Sequence, residues 1–166
     1  MRYKETGNLH LDFHGATNTT INYLVDNYGR KALKEIFFQV GHDVYKSIRQ
    51  NLAKGLVEEL LEHWQYFFAR EKGDFEIKHE NGKITLTVKS CPAVNHVRKL
   101  GLKLSPHFCD QTIYVNEGLC HGTEYEIKTT KTGENSCRQV LQKTGGKAGS
   151  GKVARAGAGV NQRRKK

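Results

Sequence analysis

The chain has 166 residues, enough for one domain with a buried core, and a formal net charge of +10 at pH 7. Eight of the basic residues and no acidic ones lie between 143 and 166, which leaves residues 1–142 with only +2. The segment 143–166 is also rich in glycine. We therefore expect a single domain at 1–142 and a disordered basic tail at 143–166. The tail is suited to non-specific polyanion contact, but it has no aromatic side chain for base stacking.

No apolar run is long enough to span a bilayer, and the N-terminal residues Met1 to Glu5 lack the hydrophobic region of an export signal. These features predict a cytoplasmic protein without membrane contact. In that compartment the four cysteines are expected to be reduced thiols. The oligomeric state does not follow from the sequence.

Helical periodicity dominates the first 70 residues. Asn18 or Thr17 is a suitable N-cap for a first helix that Gly29 ends. Apolar residues at spacings of three and four predict a longer helix from Leu33 to Leu52 and a third from Leu56 to Phe68. Their apolar stripes are expected to form the core.

The period changes to two after residue 73. Alternating runs flank Asn81-Gly82, a strong hairpin turn signal, and a second alternating pair follows at 124–128 and 136–141. Two short helical runs lie between these hairpins. The sequence therefore predicts an α+β fold, in which an N-terminal helical layer packs on an antiparallel sheet built from two hairpins.

Cysteine and histidine cluster between residues 89 and 122, where Ser90-Cys91-Pro92 joins a strand to a helix. Proline favours the first helical position, so Cys91 is predicted to be the N-cap. Free backbone N–H groups and the helix dipole at that point favour a thiolate. Cys91 is the best nucleophile candidate and is expected to alkylate faster than the other three cysteines. The alternative is that Cys91 is a buried apolar residue.

A zinc site is the second interpretation of this cluster. Cys91 and His96, together with His107 and Cys109, supply four ligands that suit tetrahedral zinc. Neither pair has the C-x2-C spacing of structural zinc sites. We therefore predict folding without metal, and no cofactor.

Three histidines are acid–base candidates: His14, His63 and His96. His14 precedes a loop glycine, with Asp12 nearby. His63 follows Glu59 by one helical turn, which is more typical of a surface contact. No G-x-S-x-G elbow, P-loop or dinucleotide-binding frame is present, so phosphate-binding enzymes are disfavoured.

The order of these features resembles the L-2-amino-thiazoline-4-carboxylic acid hydrolase-like family, with a broader likeness to 4-vinyl reductase-type ligand-binding domains. The likeness covers residues 10 to 142. Its most specific parts are the Cys-Pro after the first hairpin and the Gly-x-x-x-Cys that closes the second. The residues that carry it are Gly41-His42, Glu62-His63-Trp64, Ser90-Cys91-Pro92-Ala93, His96, Gly101, Phe108-Cys109 and Gly133-Glu134-Asn135-Ser136-Cys137.

The resemblance implies a hydrolase that opens a cyclic thioimidate ring in a small substrate carrying a carboxylate. In this hypothesis Cys91 attacks the ring carbon or orients water, and His96 or His14 transfers protons. Arg98 or Arg138 holds the carboxylate. Cys109 and His63 are further substrate-contact candidates. The alternative is a non-catalytic domain whose cysteines line a ligand pocket, with a structural zinc site as a variant.

Overall fold

The computed structural model describes residues 9–145, and within them the chain has the predicted α+β fold. Helices precede, separate and pack on a four-stranded antiparallel sheet. No helix in the described range is long and apolar enough to cross a membrane. The elements in chain order are α1 (Asp12–Gln39), a π-helical turn (Val40–Val44), α2 (Lys46–Leu52), α3 (Glu58–Arg70), β1 (Asp74–Glu80), β2 (Lys83–Ser90), α4 (Pro92–Lys99), α5 (Asp110–Cys120), β3 (Tyr125–Lys131) and β4 (Cys137–Lys143).

The sheet is built from the two predicted hairpins, and its strand order is β1-β2-β4-β3. Asn81 and Gly82 both have positive φ, 51° and 70°, as the tight turn between β1 and β2 requires. Pairing of β2 with β4 joins the hairpins, with Val88 opposite Cys137 and Ile84 opposite Leu141. This central pair brings the end of β2 next to the start of β4.

Strand β4 continues one residue beyond the predicted domain boundary. Lys143 pairs with Tyr125 on β3, and the backbone N–H of Thr144 donates to the carbonyl of Glu124 at 2.8 Å. Lys143 and Thr144, the first residues of the predicted tail, therefore belong to the β3–β4 hairpin. The remainder of that tail, from residue 146, lies outside the described residues.

Helix α1 begins earlier than predicted, but its helical conformation is interrupted at Gly29 as predicted. It begins at Asp12, so the expected capping role of Asn18 or Thr17 is wrong. Asn18 is instead buried, where its side chain donates to the carbonyl of Lys103 and accepts from the N–H of Ser105. Gly29 interrupts the helix, with φ 76° and ψ 171°. The buried amide is retained because both of its polar atoms have partners.

Two hydrophobic clusters fill the interior and meet at Cys91. The larger contains Leu52, Trp64 and Leu86 and lies between the sheet, α2 and α3. The smaller contains Ile21 and lies between α1, α4 and α5. Cys91 packs against both clusters, because it stands where β2 turns into α4. The strand-to-helix junction is therefore inside the molecule.

The π-helical turn and α5 approach each other through a pair of glycines. A Cβ on Gly118 would overlap the carbonyl oxygen of Phe38 and lie 2.8 Å from the backbone nitrogen of His42. A Cβ on Gly41 would likewise overlap the carbonyl oxygen of Val115. Backbone atoms occupy both positions, so neither contact can be relieved by a rotamer change. This close approach fixes α5 against the N-terminal layer.

We predict that Gly118→Ala destabilises the protein although alanine favours a helix by about 1 kcal/mol. The overlap with backbone should cost at least about 2 kcal/mol net, which lowers the melting temperature by roughly 4–8 °C. Gly145→Ala is the control, because a Cβ there meets nothing within 4 Å. An unchanged melting temperature for Gly118→Ala would show that the helices can separate at little cost.

Candidate functional site

A cavity of about 240 Å³ lies between the first turn of α1, the N-terminal ends of α4 and α5, and the inner face of β3 and β4. Three of the four cysteines line it: Cys91, Cys109 and Cys137. We call it the thiol cavity. Much of its remaining wall is apolar, contributed by Phe13, Phe68, Pro92, Ala93, Val94, Phe108 and Ile113.

Cys91 occupies the predicted N-cap of α4. Its backbone is extended, with φ −76° and ψ 117°, and Pro92 is the first helical residue. The backbone N–H of Cys91 donates to the carbonyl of Asn135 at 2.8 Å, which ties the junction to the β3–β4 loop. Asn135 also donates through its side chain to Asn95 at 3.0 Å. The position of the sulfur is thus set by α4 and by the loop.

The helix N-terminus favours a thiolate as expected, but the expectation of a net lowered pKa for Cys91 is wrong. The N–H groups of Val94 and Ala93 lower the pKa of the Cys91 thiol, but burial raises it by more. Partial charges at a helix terminus contribute a modest energy, whereas desolvation of an anion is expensive. Cys91 is therefore protonated at neutral pH and needs a base to become a nucleophile.

Burial also raises the pKa of the other three thiols, to about 11 for Cys137 and about 12 for Cys120. Cys109 has a raised pKa as well, with Lys131 acting in the opposite direction. All four cysteines are free. That Cys91 alkylates first stays a prediction. Cys109 is the other thiol expected to alkylate readily, because the charge of Lys131 acts to lower its pKa.

A buried histidine–carboxylate pair supplies a base in the same cavity. His14, on the first turn of α1, places Nε2 at 3.0 Å from Oε2 of Glu71. Both side chains are about nine-tenths buried, at 11% and 10% exposure, and both line the thiol cavity. If Nε2 donates to the carboxylate, Nδ1 carries the lone pair that can accept a proton. Glu71 follows α3 and is 57 residues from His14, so no local pattern connects them.

His96 stands beside this pair but outside the cavity lining. Its ring centroid is 6.4 Å from that of His14, and its Nε2 lies 3.3 Å from Oδ1 of Asp12. The two predicted proton-transfer histidines are thus brought together. His14, however, is the one that reaches the cavity wall.

Neither predicted arginine lines the thiol cavity. Arg98 pairs with Glu134 at 2.9 Å, and it is Glu134 that reaches the lining. Arg138 is exposed and alternates along β4 with Cys137 and Gln139, which line the cavity, so it lies on the opposite face of the sheet. The cation that does line the cavity is Lys131, at the end of β3. Sequence reasoning missed Lys131 because only the strand register places it there.

His63 lies in a second cavity of about 220 Å³, which we call the Trp64 cavity. Burial lowers the pKa of His63 to about 4, and Glu59 acts weakly in the other direction. The predicted surface position of this histidine is wrong, because its ring packs between two aromatic rings. The centroid of the His63 ring is 5.0 Å from that of Tyr45 and 4.7 Å from that of Phe67. The Trp64 cavity is lined by Tyr45, His63, Trp64, Phe68, Gln111, Thr112, Val115, Asn116, Leu119 and Gln139.

The four residues of the zinc interpretation do not gather in one place. Cys91 and Cys109 line the thiol cavity, whereas His96 and His107 lie outside its lining. His107 instead pairs through Nδ1 with Asp110 at 3.0 Å. Within residues 9–145, no group of three or more cysteine, histidine, aspartate or glutamate side chains could hold a metal ion.

Some of the residues that carry the family resemblance line the two cavities. Cys91, Cys109 and Cys137 line the first, and His63 and Trp64 line the second. Comparison of the chain with models of protein families and with curated proteins finds no match. The resemblance stays a hypothesis, and the cavities are the basis for the function proposed below.

The buried His63 predicts a loss of stability in acid. Its pKa is about 4 in the folded protein and 6.5 when unperturbed, so between these values the unfolded chain binds a proton that the folded protein does not. Stability should therefore fall as pH falls from 6.5 to 4, by up to about 3 kcal/mol. Urea unfolding at pH 7 and pH 4.5 measures this difference.

His63→Phe should reduce the acid loss by about 2 kcal/mol, because the titrating group is gone. His79→Phe is the matched control, since His79 is exposed on β1. Equal acid losses in wild type and His63→Phe would show that His63 titrates normally in the folded state.

Proposed function

We propose that the thiol cavity is a hydrolase site, in which Cys91 is the nucleophile, His14 its base and Glu71 the residue that orients His14. The observation that carries the proposal is that Cys91 and the hydrogen-bonded pair His14–Glu71 line the same cavity. A nucleophile, a base and a group that positions the base form the minimal set for covalent hydrolysis. The substrate class, a cyclic thioimidate with a carboxylate, comes from the family resemblance.

The raised pKa of Cys91 makes the base necessary. In the resting state the Cys91 thiol is neutral, which avoids an isolated thiolate in an apolar cavity. As the substrate reacts, Nδ1 of His14 takes the thiol proton, and Glu71 stabilises the imidazolium through Nε2. The thiolate therefore exists only while it is attacking.

The reaction balances with one water. The Cys91 sulfur bonds to C2 of 2-amino-thiazoline-4-carboxylate, and the ring C2–S bond breaks, with the His14 proton going to the departing sulfur. This leaves an isothiourea on Cys91. Water activated by His14 then adds to the same carbon, and the Cys91–carbon bond breaks. The product is N-carbamoylcysteine, and the enzyme thiol is restored.

Lys131 is the group that best fits the substrate carboxylate. It lines the thiol cavity, and its charge already acts on the neighbouring Cys109 thiol. An ammonium group attracts a carboxylate as a point charge, without the two-pronged geometry of arginine. This assignment replaces Arg98 and Arg138 in the sequence-based hypothesis.

A non-catalytic ligand-binding domain is the second candidate. It is favoured by the apolar wall of the thiol cavity and by the raised pKa of every thiol. Such a cavity would hold a small apolar molecule without reacting with it. The two candidate functions differ in the role of Cys91. In the hydrolase it is needed for turnover, whereas in the binding domain it only contacts the ligand.

We predict that Cys91→Ser lowers kcat for 2-amino-thiazoline-4-carboxylate at least about 100-fold, and that His14→Gln does so to a similar extent. Glu71→Gln should lower kcat less and shift its pH profile, because Glu71 acts through His14. Cys109→Ser is the matched control: it changes a second thiol of the same cavity at another helix N-cap, where a substrate contact would affect KM rather than kcat. Its kcat should stay within about threefold of wild type. Release of free thiol and formation of the carbamoyl product are followed together.

Retained turnover in Cys91→Ser would remove Cys91 as the nucleophile. Absence of turnover by the wild type, with measurable binding of an apolar ligand, would favour the binding domain instead.

Lys131→Met should raise KM about tenfold with little change in kcat, because it removes ground-state attraction for the carboxylate. Lys128→Met is its control, since Lys128 lies on the same strand and pairs with Glu126. A lowered kcat with unchanged KM would contradict a binding role for Lys131.

A further inference from the structure

The thiol cavity and the Trp64 cavity lie side by side and share part of their walls. Phe68, Gln111, Thr112 and Gln139 line both. Their volumes are about 240 Å³ and about 220 Å³. Each is below the roughly 300–1,000 Å³ of pockets that hold drug-sized molecules, whereas the two together reach that range.

We propose that the two cavities form one elongated ligand site. The reacting ring and its carboxylate occupy the thiol cavity, and a flat, neutral, hydrogen-bonding group, such as an aromatic amide, occupies the Trp64 cavity. The reactive end of this proposal rests on the proposed function. Occupancy of the Trp64 cavity does not, and it can be measured without turnover.

The walls of the Trp64 cavity favour a flat group. Tyr45, Trp64 and Phe68 line it, and the Tyr45 and His63 rings meet edge to face. Aromatic rings bind a planar group through offset or edge contacts. The lining residues in the described range include no carboxylate, ammonium or guanidinium group. A charged group would therefore lose its hydration there without gaining a counter-charge, which excludes ionic ligands at this end.

The polar groups of the Trp64 cavity are held in place. The side-chain amide nitrogen of Asn116 donates to Oε1 of Gln139 at 2.7 Å and to Oγ1 of Thr129 at 3.0 Å. With both amide hydrogens engaged, Asn116 offers a ligand its carbonyl oxygen as an acceptor. His63 is neutral above about pH 4, so it adds a polar but uncharged ring to the lining. A primary amide complements this set, since it both donates and accepts.

Trp64 provides a direct measurement, because it is the single tryptophan of the chain and lines the Trp64 cavity but not the thiol cavity. Two probes are compared with the full-length protein. The short probe is 2-amino-thiazoline-4-carboxylate, and the long probe carries a 4-carbamoylphenyl group on its exocyclic nitrogen. We expect the long probe to change the Trp64 emission and to bind at least about tenfold tighter than the short one. The short probe should leave the emission unchanged.

Val115→Phe is designed to fill the Trp64 cavity, which Val115 lines without lining the thiol cavity. It should weaken binding of the long probe about tenfold and leave the short probe within about twofold. Val140→Phe is the matched control on the outer face of β4, and it should affect neither probe. His63→Phe keeps a ring in the cavity and removes its polar atoms, so it tests the same selectivity if Val115→Phe fails to fold.

Equal affinities for the two probes, or unchanged Trp64 emission with saturating long probe, would overturn the elongated site. So would wild-type affinity of the long probe in His63→Phe. Selective binding of the long probe without turnover of either probe would support the elongated site while overturning the hydrolase.

Discussion

The pairing of β2 with β4 is the contact on which the site depends. Each hairpin is local, but only the register that sets Val88 opposite Cys137 joins them into one sheet. That register brings the start of β4 beside the end of β2, where Cys91 begins α4. The carbonyl of Asn135 then receives the Cys91 N–H, so the β3–β4 loop is fastened to the helix N-terminus. Cys91 and Cys137 line one cavity as a consequence of this pairing.

At Cys91 two physical effects oppose each other, and burial is the stronger. The helix N-terminus supplies N–H groups that favour a thiolate, as the Cys-Pro pattern predicts. The same residue packs against both hydrophobic clusters, and removal of water raises the pKa by more than the N–H groups lower it. A sequence motif can identify a helix terminus, but it does not show how far that terminus is buried from solvent. In the proposed reaction this difference assigns activation of the thiol to His14.

Local features of the fold were predictable from sequence, and long-range features were not. The Asn81-Gly82 turn, the break at Gly29 and the Cys91 N-cap depend on backbone preferences of adjacent residues. The sequence predicts Asn18 as a cap because the same amide chemistry serves a cap or a buried contact. Its actual partners, Lys103 and Ser105, are more than 80 residues away. Within the site, sequence placed Cys91 and His14 among the reactive groups. It could not pair His14 with Glu71 or bring in Lys131, because tertiary packing and strand register determine those contacts.

The charges around the thiol cavity fit the proposed substrate. Glu71 contributes a negative charge beside His14, and Lys131 contributes a positive charge at the end of β3. Glu134 also reaches the lining, but Arg98 pairs with it. A bound carboxylate would be balanced by Lys131, so Glu71 would remain available to the imidazolium that forms when His14 takes the thiol proton. In the proposed reaction a cationic substrate would instead compete with His14 for Glu71, and for this reason an anionic substrate fits the proposed site better than a cationic one.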